Sequence, residues 1–259
     1  MQYFDSHSHY NDEKFKDDYE EILKKVYESG VTKLINAGAD IETSKKSIEM
    51  SKKYQFTYST VGISPNDITE SLEEINKQLE TIKKLAENEK VVAIGEIGLD
   101  YYWNKENKNL QKYAFIEQIK IANEYNLPIQ IHTREAVNDT LEILKNIQKP
   151  QNGAIFHCCP LNQELVKEGI KLGIYISLSG TVTFKNSKNA NEIIKLIPLE
   201  QMLIETDSPY LAPEPNRGTR NDSRNLKYIV EKIAKVKEME PEEIAQITYK
   251  NAETIFNIK

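Results

Sequence analysis

Short apolar, β-branched runs recur along the chain (QYFDSHSH, VTKLINAG, FTYSTVGI, KVVAIGEIGLD, LPIQIHT, GAIFHCC, GIYISLSG and MLIETDSP), and longer polar stretches separate them. Within those stretches apolar residues fall at helical spacing, as Leu72, Ile75, Leu79, Ile82 and Leu85 do. Strands alternating with helices must pair in parallel, because a crossover between parallel neighbours takes about a dozen residues. Eight such units in 259 residues predict a (β/α)8, TIM-type barrel, regular or distorted, rather than an open sheet. Two C-terminal helices are expected outside the barrel, around Leu226 to Val236 and from Pro241 to Phe256, with Pro241 in a first helical turn. No Gly-, Pro- or Ser-rich linker and no shift in composition interrupts the pattern, so a single domain over 1–259 is expected.

The strand pattern gives the histidines a common address. All four lie at the C-terminal ends of runs: His7 and His9 on the first, His132 on the fifth and His157 on the sixth. Barrel active sites are built at that end. Residues i and i+2 of a strand share a face, so His7 and His9 can both point into the mouth. Glu96 in AIGEIGLD and Asp207 in IETDSP end the fourth and eighth runs, and a carboxylate in such apolar surroundings is costly unless paired, hydrogen-bonded or bound to a cation. A single histidine at a strand end is usually structural, and HxH alone is a weak motif. Four imidazoles and two carboxylates at equivalent ends of different strands instead suit two divalent metals sharing a carboxylate. Zinc, manganese, magnesium and nickel all accept such ligands.

Composition narrows the setting. The net charge of -6 argues against a broad electrostatic nucleic-acid binder, although not against an enzyme that meets phosphate through metals. No apolar stretch approaches the roughly 18 residues of a membrane span, and the N-terminus lacks the basic-then-apolar order of a signal peptide. The adjacent Cys158 and Cys159 form no disulfide framework, so a cytoplasmic location is expected. Arginine is used sparingly: Lys and Arg together number 34, yet the only arginines are Arg134, just past His132, and Arg217, Arg220 and Arg224, in the loop after Asp207. Guanidinium forks suit phosphate oxygens, which suggests substrate anchoring. The competing reading has Arg217 to Arg224 pair with Glu214 and Asp222 to hold a long loop.

DSHSH, AIGEIGLDYY, PIQIHTREA, FHC and LIETDSPYLAP followed by RGTRN resemble, in order and spacing, the motifs of the TatD family of metal-dependent deoxyribonucleases, within the amidohydrolase-like barrels. The resemblance runs over essentially the whole chain. It implies that His7, His9, Glu96 and Asp207 hold one metal, with Glu96 bridging to a second held by His132 and His157, and that the activity is 3′-to-5′ exonucleolytic hydrolysis of DNA. Asp207 is the candidate for orienting the attacking water, and Glu205, of the same strand parity, for supporting a ligand. Tyr101, Tyr102 and Trp103 either stack on a terminal base or cap the barrel.

Three departures stand out. VGISPND puts Ser64 and Asn66 where histidines are common in the family, which bears on substrate contact and leaves the metal ligands intact. CCPLN follows where CFSG is usual; Cys159 then either approaches the metals or, the favoured expectation, lines the core. Trp103 stands where an arginine often follows the paired aromatics. The readings that compete with a nuclease are a metal-dependent acyl-bond hydrolase, acting on a mischarged transfer RNA or a small amide, and a non-catalytic metal-dependent binder of nucleic-acid ends. Oligomeric state and any protein partner are not legible.

Overall fold

The computed structural model describes residues 1–258. Its strands are β1 (Tyr3–Ser8), β2 (Val31–Ala37), β3 (Thr57–Val61), β4 (Val91–Asp100), β5 (Ile129–Arg134), β6 (Ala154–Phe156), β7 (Tyr175–Leu178) and β8 (Met202–Ile204). They lie in one sheet in the order β1 to β8, with helices between them, which is the (β/α)8 class expected from the pattern. Each apolar run becomes one strand. The helices Leu226–Lys237 and Pro241–Ile255 fall where the sequence puts them, the second with proline in its first turn. No helix among the described residues is long and apolar enough to cross a membrane.

The chain divides into two compact units, residues 1–36 with those from His157 onward, and residues 37–156. In the first, β1 pairs with β2 and β7 with β8, all in parallel. The segment after β8 fastens to β1: Asp207 N–H donates to the His7 carbonyl at 3.0 Å, and His9 N–H donates to the Ser208 carbonyl at 2.7 Å. Beneath this junction the fully buried Asp5 accepts hydrogen bonds from Thr206 N–H at 3.0 Å, Thr206 Oγ1 at 2.5 Å and Ser223 Oγ at 2.6 Å. Burial pushes Asp5 up to about 7, against the pull of the Ser223 and Thr206 hydrogen bonds. Such a carboxylate is tolerated in a core only because donors surround it.

In the second unit β3, β4, β5 and β6 pair in sequence, all parallel. Every residue of β4 is buried, as expected of a parallel strand covered on both faces. Between Ile94 and Ile97, two residues of β4, Gly95 and Glu96, stand against one of β5, Gln130. A bulge of this kind re-aims a side chain, and here it falls at Glu96. Two residues on, the Gly98 backbone has φ +140°, and a Cβ there would meet the His132 carbonyl oxygen at 2.0 Å. Only glycine lets the two strands approach this closely opposite His132.

Candidate metal centre

In the first unit, three ligand atoms converge. His7 Nε2 lies 3.0 Å from His9 Nε2, and Asp207 Oδ1 lies 3.8 Å from the first and 3.4 Å from the second. Ligands bonded at about 2.0–2.2 Å around a tetrahedral ion stand roughly 3.3–3.6 Å apart, so the spacing fits one divalent cation. The arrangement follows from the junction just described, since the bond from Asp207 N–H to the His7 carbonyl ties two distant segments at the ligands themselves. Asp207 sits in left-handed backbone, φ 54°, which turns its side chain back toward β1. Burial acts to raise the Asp207 pKa, but the His9 hydrogen bond and the nearby His9, His7 and His157 imidazoles outweigh it, and the carboxylate stays low and ionised. The His157 ring stacks on His7 with centroids 3.9 Å apart, and its Nδ1 lies 3.5 Å from Glu205 Oε1. Glu205 is fully buried and also accepts the Cys158 N–H at 2.5 Å, so it fixes the segment that carries His157.

In the second unit His132 is gripped on both nitrogens. Nδ1 lies 3.0 Å from Glu96 Oε1, and Nε2 lies 2.9 Å from Asp100 Oδ2. Sequence reasoning missed Asp100. The fourth strand does not end at Glu96, as expected, but runs to Asp100, whose carboxylate is the one that caps it. Asp100 Oδ1 also accepts the backbone N–H of Tyr102 at 2.9 Å and of Trp103 at 3.2 Å. Burial acts to raise the Asp100 pKa, and the bond and charge of His132 with the two N–H groups bring it below the ordinary value. A carboxylate on Nε2 leaves Nδ1, on the Glu96 side, as the nitrogen available to a metal. The signal was present in the sequence as a second acid inside the apolar run IGEIGLD, and Asp5 in QYFDSHSH is a case of the same kind.

Residues 4–257 match the family model described as TatD related DNase. The chain belongs to this family. It is 44% identical over 255 residues to YabD of Bacillus subtilis, an uncharacterised metal-dependent hydrolase, covering 98% of this chain and 99% of that one. An uncharacterised metal-dependent hydrolase of Buchnera aphidicola is 39% identical, with 98% and 96% covered. Among solved structures, YjjV, a TatD homologue of Escherichia coli K12, superposes with a TM-score of 0.91 at 27% identity over 99% of this chain and 98% of that one. The chain is thus a metal-dependent hydrolase of the TatD family, and the convergent donor set of the first unit fits a metal.

Against this TatD frame the remaining expected residues separate. Ser64 is buried and its hydroxyl accepts the Asn66 N–H at 3.3 Å, capping a short 3-10 turn. Asn66 is exposed. Cys159 is buried with Sγ 3.5 Å from the Pro160 carbonyl, as the core reading has it. The backbone turns left-handed at Cys158, φ 37°, which breaks the strand parity linking Cys159 to His157. Burial, with Asp207 and Glu205 nearby, holds the Cys158 thiol well above its ordinary pKa and therefore protonated.

The arginine loop is divided in its attachments. Arg224 forms a two-point bond with Asp222, at 2.9 and 2.8 Å, as the loop-holding alternative expects. Arg220 instead grips Asp18 through two nitrogens and the Lys14 carbonyl. Arg217 lies flat on Phe184, 3.6 Å from the ring centroid. Tyr101 is buried and its hydroxyl donates to Asp139 at 2.7 Å, whereas Tyr102 and Trp103 are exposed, with Arg134 over the Tyr102 ring at 3.8 Å.

Proposed function

We propose that this protein is a divalent-metal-dependent deoxyribonuclease that removes nucleotides from the 3′ end of single-stranded DNA. The observation that carries the reading is the convergence of His7 Nε2, His9 Nε2 and Asp207 Oδ1, at metal-ligand spacing, in a chain matched along its length by a family of DNases. His7, His9 and Asp207 would hold one ion; the family resemblance implies that Glu96 serves it too and is shared with a second ion on His132 and His157. Bound divalent ions supply the Lewis acidity that makes water nucleophilic at neutral pH and offset charge growing on phosphate oxygens.

The chain's own groups do the rest. Asp207, ionised and partly buried, orients the attacking water and accepts its proton. Asp100 holds the His132 imidazole in the ligating orientation, and Glu205, 3.5 Å from His157 Nδ1, fixes the adjoining Cys158 N–H and so positions the segment that carries His157. Arg217, stacked by its flat face, offers its N–H edge to a substrate phosphate. Arg220 and Arg224 hold the loop that carries it.

The test is a time course on a 5′-labelled single-stranded oligodeoxynucleotide with magnesium or manganese, beside Glu96→Gln. A ladder shortening from the 3′ end in wild type, and lost with metal content in the variant, is the expected result. Near wild-type turnover and metal content in Glu96→Gln removes the shared-carboxylate assignment. No cleavage by folded, metal-loaded protein overturns the nuclease reading and favours acyl-bond hydrolysis.

A further inference from the structure

We propose that Tyr102, Trp103 and Arg134 form a stacking site for one unpaired nucleobase, the feature that selects single-stranded over base-paired ends; this rests on the nucleic-acid reading above. The residues Tyr101 to Trp103 leave β4 directly. Tyr101 turns inward, but the next two side chains are 48% and 66% exposed, a costly display of adjacent aromatics unless something covers them. They are not loose. The Tyr102 and Trp103 rings meet edge to face at 4.9 Å between centroids, and the Arg134 guanidinium lies 3.8 Å from the Tyr102 centroid and 5.6 Å from that of Trp103. The Asp100 carboxylate that accepts both their N–H groups is the one that orients His132. The aromatic step and a candidate metal ligand therefore share one anchor.

The chemistry of the patch selects its occupant. An edge-to-face pair leaves flat ring surface for a further π-system, and every nucleobase has one. A guanidinium stacked by its face keeps its donors in the plane, where phosphate oxygens accept them. Two further cations flank the step, Lys108 over the Tyr101 ring at 4.4 Å and Lys105 beside Glu135. Aromatic faces beside in-plane donors and cations match a base joined to its phosphate. A base inside a duplex has both faces stacked on its neighbours, and a terminal pair frees one face but brings its pairing partner and the duplex with it, so an unpaired base fits the narrow step best.

Trp103 is the only tryptophan of the chain, and its emission reports this contact directly. The metal-loaded full-length protein would be titrated with a single-stranded oligodeoxynucleotide carrying phosphorothioate linkages at its 3′ end, and with a blunt hairpin of equal composition. The expected result is strong quenching by the single strand alone, with the hairpin bound roughly tenfold more weakly. Tyr102→Ala and Arg134→Ala should each raise the single-strand Kd roughly tenfold, and Tyr102→Phe should restore it. Unchanged emission together with a wild-type Kd in Tyr102→Ala overturns the proposal. Cleavage of DNA without quenching rejects the stacking site and leaves the nuclease reading standing. Quenching without cleavage supports the stacking site while the nuclease reading falls.

Discussion

Replacing Asp100 separates two duties of one carboxylate. In Asp100→Asn the oxygen that accepts the Tyr102 and Trp103 N–H groups survives, but an amide donor takes the place of the oxygen 2.9 Å from His132 Nε2. His132 must then present Nε2 as an acceptor and carry its proton on Nδ1, the nitrogen that faces Glu96 and that the proposed function assigns to a metal. The lost charge-assisted hydrogen bond costs about 1.5–3 kcal/mol, and loss of such an orienting carboxylate lowers metal affinity about 10- to 100-fold. Asp100→Ala also strips the two N–H groups of their acceptor, at about 1 kcal/mol each, for a total of roughly 3–5 kcal/mol. For a chain of this size that corresponds to a fall in Tm on the order of 10 °C, with about half of it in the Asn variant. Calorimetric titration with zinc or manganese, run beside scanning calorimetry of the metal-free proteins, reads the two effects apart. Wild-type metal affinity in a folded Asp100→Asn protein would refute the reasoning.

Other expectations follow from the same bonds. Asp5→Ala removes a buried acceptor serving Thr206 and Ser223, and should lower unfolding free energy by about 3–5 kcal/mol in urea titrations, a cost that a milder effect than about 1 kcal/mol would contradict. Glu205→Gln should weaken metal binding about 10-fold or more with little change in far-UV circular dichroism, and unchanged metal content would count against its hold on His157. The Arg220 hydrogen bond holds Asp18 below its ordinary pKa, so this tie contributes fully above the usual carboxylate range and is lost as pH falls below it. Protection factors of the 216–225 amides, the exchange rates divided by their intrinsic rates at each pH, should accordingly fall in acid, and Asp18→Asn should abolish that fall; identical protection profiles in both proteins would show that the tie is idle.

The periodicity of apolar residues sufficed for the strands because each is buried in a parallel sheet and reads as a continuous run, as all ten positions of β4 do. It also brought out the four histidines, which stand at or near where such runs stop. It failed where strand parity is broken by the backbone. The bulge at Glu96 and the left-handed residues Cys158 and Asp207 redirect side chains in ways that counting by twos cannot follow. The arginines show another gap. Arg224 finds its acid two residues away, which spacing can suggest, but the partner of Arg220 is Asp18, brought to it only by the fold. Asp5 and Asp100 were visible as acids inside apolar runs, yet nothing local names the donors that surround them, since Thr206 lies 201 residues from Asp5.

That separation orders the protein's own synthesis. His7 and His9 leave the ribosome well before Asp207 and the Thr206 and Ser223 hydroxyls that brace Asp5, which emerge about two hundred residues later. A growing chain therefore carries the pair of imidazoles alone over about two hundred residues, and the third proposed ligand arrives only after the eighth strand. On the proposed ligand set, metal captured by all three would mark a chain whose last strand is made and docked, and hydrolytic competence would follow only once the sheet is complete.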